Sequence, residues 1–97
     1  MNKLNMNTIT EELQKRFDKA ENNIELLAKK AENASEDVKN KINDRVKTIR
    51  KKQMEAKKQF DEVKESSGSA WDKLQKGINH SLDSLEVAIT QAKSEFD

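Results

Sequence analysis

The feature of this 97-residue sequence that most constrains its fold is a heptad repeat of apolar residues in three consecutive segments. In each segment two series interleave, and a spacing of seven places both series on one face of an α-helix. The series are Phe17, Ile24, Ala31 and Val38 with Leu13, Ala20, Leu27 and Ala34; Ile42, Ile49, Ala56 and Val63 with Val46, Gln53 and Phe60; and Trp71, Ile78, Leu85 and Ala92 with Leu82, Ile89 and Phe96. The pattern predicts three amphipathic helices whose apolar faces pack together.

The composition agrees with an all-α fold. The chain has two glycines, no proline and no cysteine, and 38% of its residues are charged. A strand-rich domain needs more turn and β-branched residues than this, whereas Glu, Lys, Gln, Leu and Ala favour helices. The absence of cysteine excludes a disulfide framework, a thiolate nucleophile and a zinc finger.

The heptad register breaks twice, and each break predicts a turn. The spacing is eight residues from Ala34 to Ile42 and again from Val63 to Trp71. At the second break Gly68 is suited to the left-handed position after a helix, and Ser69 to Asp72 reads as a capping box. At the first break Ser35 is a candidate N-cap, followed by the acidic residues that favour a helix start.

These signals predict a single domain over residues 1–97, with helices at about 9–33, 36–66 and 70–96. Helices of nearly equal length favour an antiparallel, up-down-up, coiled-coil-like bundle. The alternative is one long helix over residues 9–66 with a third helix, the helices then pairing between chains.

The sequence carries no pattern typical of a catalytic or metal site. His80 is the single histidine and falls opposite the apolar face of its helix, where no helical neighbour offers a carboxylate. There is no glycine-rich phosphate loop, no nucleophile elbow and no Glu-x-x-His pair. We therefore predict a non-enzymatic protein with no metal and no cofactor.

The strongest local charge feature is a basic stripe in the middle segment. It consists of Arg45, Lys47, Arg50, Lys51, Lys52, Lys57 and Lys58, with Glu55 as its one acidic interruption. Such a stripe could contact anionic lipid head groups or nucleic-acid phosphates. A solvated helix face is the simpler interpretation, because no aromatic residue lies among the bases and acidic residues follow closely.

Three residues have predicted structural roles. Gln53 occupies a polar position in the apolar face, where it would fix the register of packing. Gly77 lies inside the third helix, where glycine is unfavourable, and we expect a close helix approach to explain it. Trp71 begins the same helix and is predicted to fill the core near the end of the bundle.

The C-terminal part of the chain resembles a family of small uncharacterised bacterial coiled-coil proteins. The resemblance rests on the segment from Ser67 to Gly77, which reads Ser-Gly-x-Ala-Trp-x-x-Leu-x-x-Gly, and on the closing Ala92-Lys-Ser-Glu-Phe96. This chain departs from the family pattern at Ser81-Leu82 and at Ile89. The resemblance implies a helical coiled coil and structural roles for Ala70, Trp71, Leu74, Gly77, Leu85, Ala88, Ala92 and Phe96.

The leading functional expectation is a helical protein that binds a protein partner or associates with itself. The alternative is peripheral binding to an anionic membrane surface, with the amphipathic helices opening and the stripe at residues 45–58 meeting the head groups. Nucleic-acid binding is not favoured, because the net charge of the chain is +1. No segment is apolar enough to cross a bilayer, and we expect a cytoplasmic protein.

Overall fold

The protein is a bundle of three α-helices. The structure, a computed structural model, describes residues 3–66 and 68–97, with side chains from residue 7 onward. Helix α1 spans Lys3–Glu32, α2 spans Glu36–Glu65 and α3 spans Ser69–Phe96. All three pairs of helices are in contact, and the described residues contain no strand. This confirms the predicted all-α three-helix bundle.

Contacts between helices give their directions. The rings of Phe17 in α1 and Phe60 in α2 lie 5.1 Å apart, and Glu21 of α1 contacts Gln53 of α2, so these two helices run antiparallel. Between α2 and α3, the ion pair between Arg45 and Glu95 joins the start of one helix to the end of the other. The bundle is therefore up-down-up, and its Cα atoms extend over 52 × 17 × 17 Å.

The core consists of the predicted heptad residues. Seventeen of them are buried: Leu13, Phe17, Ala20, Ile24, Leu27, Ala31, Ile42, Ile49, Ala56, Phe60, Val63, Trp71, Ile78, Leu82, Leu85, Ile89 and Ala92. Ala34, Val46 and Phe96 are partly buried and pack against this core. Each large apolar side chain contributes roughly 1.5–3 kcal/mol through burial, before the entropic cost of ordering it.

Val38 is the exception, because its side chain is exposed. We expected it to continue the α1 series, but α1 ends at Glu32 and Val38 lies in the first turns of α2. Ile42 and Val46 set the buried face there, and Val38 falls beside it.

The first turn forms where the register break predicts it. Ser35 is the N-cap residue of α2, with φ −64° and ψ 163°, although its side chain makes no capping hydrogen bond. The carbonyl of Ser35 instead accepts the N–H of Lys39 at 2.8 Å. This break excludes a continuous helix over residues 9–66.

The start of α1 differs from the prediction. The helix begins at Lys3 rather than near residue 9. Nothing in this segment stops a helix, since it contains neither proline nor glycine.

The second turn uses different residues from those predicted. Gly68 has φ 65° and ψ −140°, a positive-φ conformation but not the left-handed helical one, and it is the N-cap of α3. Ser69 is consequently the first helical residue and does not open a capping box. Ser66 ends α2, and both its N–H and its hydroxyl donate to the carbonyl oxygen of Val63. Ser67, also part of the predicted turn, lies outside the described residues.

The expected reason for Gly77 is wrong. A Cβ atom added at this position would meet no atom within 4 Å. No close approach of a neighbouring helix therefore requires glycine here.

The two glycines should respond oppositely to substitution by alanine. Gly77→Ala should raise the free energy of unfolding by about 0.5–1 kcal/mol, because glycine is a poor helix residue and the space is open. Gly68→Ala should lower it by about 1 kcal/mol or more, because a side chain strains the positive φ. Urea unfolding followed by circular dichroism measures both. Destabilisation by Gly77→Ala would contradict the open geometry.

Candidate binding surface

Three residues of the basic stripe belong to contacts between the helices. Arg45 donates to both carboxylate oxygens of Glu95 in α3, at 2.8 and 3.3 Å. Lys52 lies 3.4 Å from the hydroxyl of Ser84, also in α3. Arg50 turns towards α1 and pairs with Glu21 at 3.4 Å. These side chains lie on the flanks of α2, where a neighbouring helix is within reach.

The other four bases of the stripe point to solvent. Lys47, Lys51, Lys57 and Lys58 are all exposed, and none forms an ion pair with the residues that the structure describes. Met54 lies among them and is 72% exposed. Positions 47, 51, 54 and 58 share one side of the helix and span about 16 Å. We call these four lysines with Met54 the lysine face; Lys57 lies at its edge towards α1, where it lines a groove between the two helices.

The lysine face is locally cationic but narrow. Helix α2 carries ten bases and seven acids, whereas α1 carries six of each. Asp44 lies before the face, and Asp61 and Glu62 lie after it, all of them exposed. The positive potential is therefore confined to the middle of α2 and is screened over about 10 Å at 0.1 M salt.

Gln53 connects α2 to α1, as its seam position predicts. Its amide nitrogen donates to Glu21 at 2.6 Å, and its amide oxygen accepts from Arg50 at 3.2 Å. Hydrogen bonds from Gln53 and then Arg50 lower the pKa of the Glu21 carboxyl below its ordinary value. The half-buried triad of Glu21, Arg50 and Gln53 therefore fixes how far α1 is shifted along its axis relative to α2.

The most extensive polar contact in the described residues was not predicted. Arg16 of α1 reaches α3, where it donates to Asn79 at 3.0 Å, to Asp83 at 2.8 Å and to both carboxylate oxygens of Glu86. These hydrogen bonds, chiefly the one with Glu86, raise the pKa of the Arg16 guanidinium. The sequence signal is that Asn79, Asp83 and Glu86 share one flank of α3. This pattern alone does not predict a contact with Arg16, because that contact also requires knowing that α1 and α3 are neighbours.

His80 and Trp71 lie where the sequence placed them. His80 is exposed, and it shares a shallow depression of about 120 Å³ with Glu55 and Ser84. No hydrogen bond joins His80 to Glu55, and no group of three or more potential metal ligands exists among the described residues. Trp71 is 5% exposed and belongs to the core at the start of α3. None of the described helices is long and apolar enough to cross a membrane.

Comparison with protein-family models, curated proteins and solved structures finds no match to this chain. The resemblance of residues 67–96 to small bacterial coiled-coil proteins therefore stays a prediction.

Removing the Gln53 amide should raise the pKa of Glu21. Gln53→Leu deletes the hydrogen bond that lowers this pKa most, so the carboxyl should titrate closer to its ordinary value of 4.5. In the wild type, Glu21 stabilises the fold fully above that value and loses its contribution as the pH falls through the lower folded-state pKa. Carboxyl NMR titration measures the shift.

Gln59→Leu is the matched control, because Gln59 is a half-buried amide of α2 that bonds to Ser81 of α3 instead. It should leave the pKa of Glu21 unchanged. An equal change in both variants would show that the Gln53 hydrogen bond is not the cause.

Proposed function

We propose that this protein is a non-enzymatic binding module whose closed bundle presents the lysine face to an acidic protein surface. The observation that carries the proposal is that Lys47, Lys51, Lys57 and Lys58 are exposed without ion pairs in the described chain. The other bases of the stripe bind neighbouring helices. This division separates a structural set of charges from a set that is free for a partner.

The distribution of apolar residues supports binding through charge. Apart from Val38, the apolar heptad residues are buried in the core of the bundle or pack against it. The large exposed apolar side chains among the described residues are Leu26, Val38, Met54 and Val87, and they are spread over the three helices. Scattered single residues do not form the contiguous apolar patch of a stable protein interface. A partner is therefore recognised mainly by its charge.

An acidic protein segment suits the lysine face better than a membrane does. A membrane is a broad anionic surface, and it would also meet Asp44, Asp61 and Glu62 at the ends of the face. Inserting the apolar faces into lipid would require the buried core to open. A narrow acidic helix can align with the lysines alone, and opposite charges then set its position.

The proposal keeps two expectations from the sequence, a cytoplasmic location and membership of a coiled-coil family. Neither is needed for the binding step itself.

Reversing two lysines should weaken recognition of acidic polypeptides. Lys51→Glu with Lys58→Glu should weaken binding of a fluorescent polyglutamate peptide by about tenfold or more, since each exposed charge pair contributes roughly 0.5–1 kcal/mol. Binding by the wild type should also weaken between about 0.1 M and 1 M salt, as the Debye length falls from ~10 to ~3 Å. Fluorescence anisotropy measures both effects.

Lys73→Glu with Lys76→Glu on α3 is the matched control, with the same charge change at exposed lysines away from the face. It should retain most of the binding. An equal loss of polyglutamate binding in both variants would show that binding depends only on the net charge of the protein and not on the lysine face. A third outcome would contradict the proposal: lysine-dependent binding to anionic vesicles, a blue shift of Trp71 emission and no binding of polyglutamate. It would identify a membrane, and not an acidic protein, as the partner.

A further inference from the structure

Helix α1 carries a row of acidic residues that runs beside the lysine face. Glu11, Asp18, Glu25 and Glu32 are spaced by seven residues, so they share one side of α1. All four are exposed, and none forms an ion pair with the described residues. We call these four residues the acidic row.

The acidic row lies on the side of α1 that adjoins α2. Asp18 lines a groove of about 270 Å³ between the two helices, and Lys57, Lys64 and Asp61 line its opposite wall. The heptad spacing keeps the other members of the row on the same side. The α1 side of this groove therefore carries the acidic row, with Lys29 as a basic residue on the same side, and the α2 side carries lysines together with Asp61.

Two members of the acidic row lie at the heights of lysines in α2, whereas Glu32 lies near the height of Asp44. Phe17 is opposite Phe60, and Glu21 is opposite Gln53. Because α1 and α2 run antiparallel, Asp18 then lies near the height of Lys57 and Lys58. By the same correspondence, Glu25 lies near the height of Lys51.

We propose that the partner of the lysine face is the acidic row of a second copy of this chain. The proposal rests on the proposed function, and it identifies the acidic protein surface of that function as the acidic row of the second copy. A two-fold axis parallel to the helices places α1 of each copy against α2 of the other and preserves the heights. A two-fold axis across the helices would instead set acidic row against acidic row.

The area of this face is sufficient for a weak dimer. Each of the two helices has 30 residues, which makes it about 45 Å long and about 10 Å wide. The full face of the pair measures roughly 900 Å², but the lysine face occupies only about 16 Å of its length, so the buried area stays below the ~800 Å² per partner of a standard interface. Met54 is the one large exposed apolar side chain of α2 on this face, so the association is dominated by charge and is sensitive to salt.

Sedimentation equilibrium of the full chain, up to about 1 mM protein, tests the dimer. The wild type should contain dimer at about 0.1 M salt and be monomeric at about 1 M salt. A wild type that is monomeric under both conditions would overturn the dimer. If polyglutamate binding through the lysines persisted in that case, the proposed function would stand without it.

Charge reversal on either side gives the more specific test. Lys51→Glu with Lys58→Glu, and separately Asp18→Lys with Glu25→Lys, should each give a folded monomer, because like charges then face each other. Mixing the two variants should restore a 1:1 dimer, since both halves of the symmetric interface regain opposite charges. Circular dichroism verifies folding. Two folded variants that fail to associate when mixed would contradict the pairing of the acidic row with the lysine face.

Discussion

The structure depends on the phase of its apolar repeat. One extra residue rotates a helical face by about 100°, so an uninterrupted helix could not keep two successive heptad segments on the same side. The chain instead turns back between successive segments, once at Ser35 and once at Gly68, so that the apolar faces of all three segments point to one core. Each turn brings a new apolar face onto the previous one, and the core fills from residues of a single chain.

Closing the core in this way divides the charged residues into two groups, those that contact a neighbouring helix and those that face solvent. Side chains on the flanks of each helix meet a neighbouring helix, as Arg16 meets α3 and Arg50 meets Glu21. Side chains on the outer surface have no such partner, as at Lys51 and Lys58. The arrangement of the helices therefore determines which charged side chains remain free for binding. These free side chains do not contribute to contacts between the helices.

The heptad pattern predicted the core because burial in a bundle is decided by helix periodicity, a property of local sequence. It failed at Val38, where the chain had already reversed. The separate expectation of a close helix approach at Gly77 also failed, because the surroundings of this residue depend on tertiary packing. The basic stripe was predicted as one unit, and only the arrangement of the helices divides it. Contacts such as that of Arg16 with Glu86 join residues far apart in sequence, so they follow from topology and not from local spacing.

In the structure one chain fills its own core, and the proposed partner meets only the surface charges of that chain. Small-angle X-ray scattering at about 1 M salt, where charge pairing between chains is screened, tests this most directly. A monomeric mass with a radius of gyration close to the 15.6 Å of the Cα atoms is expected. A larger radius with a dimeric mass at high salt would show that apolar faces pair between chains, and would contradict the closed bundle.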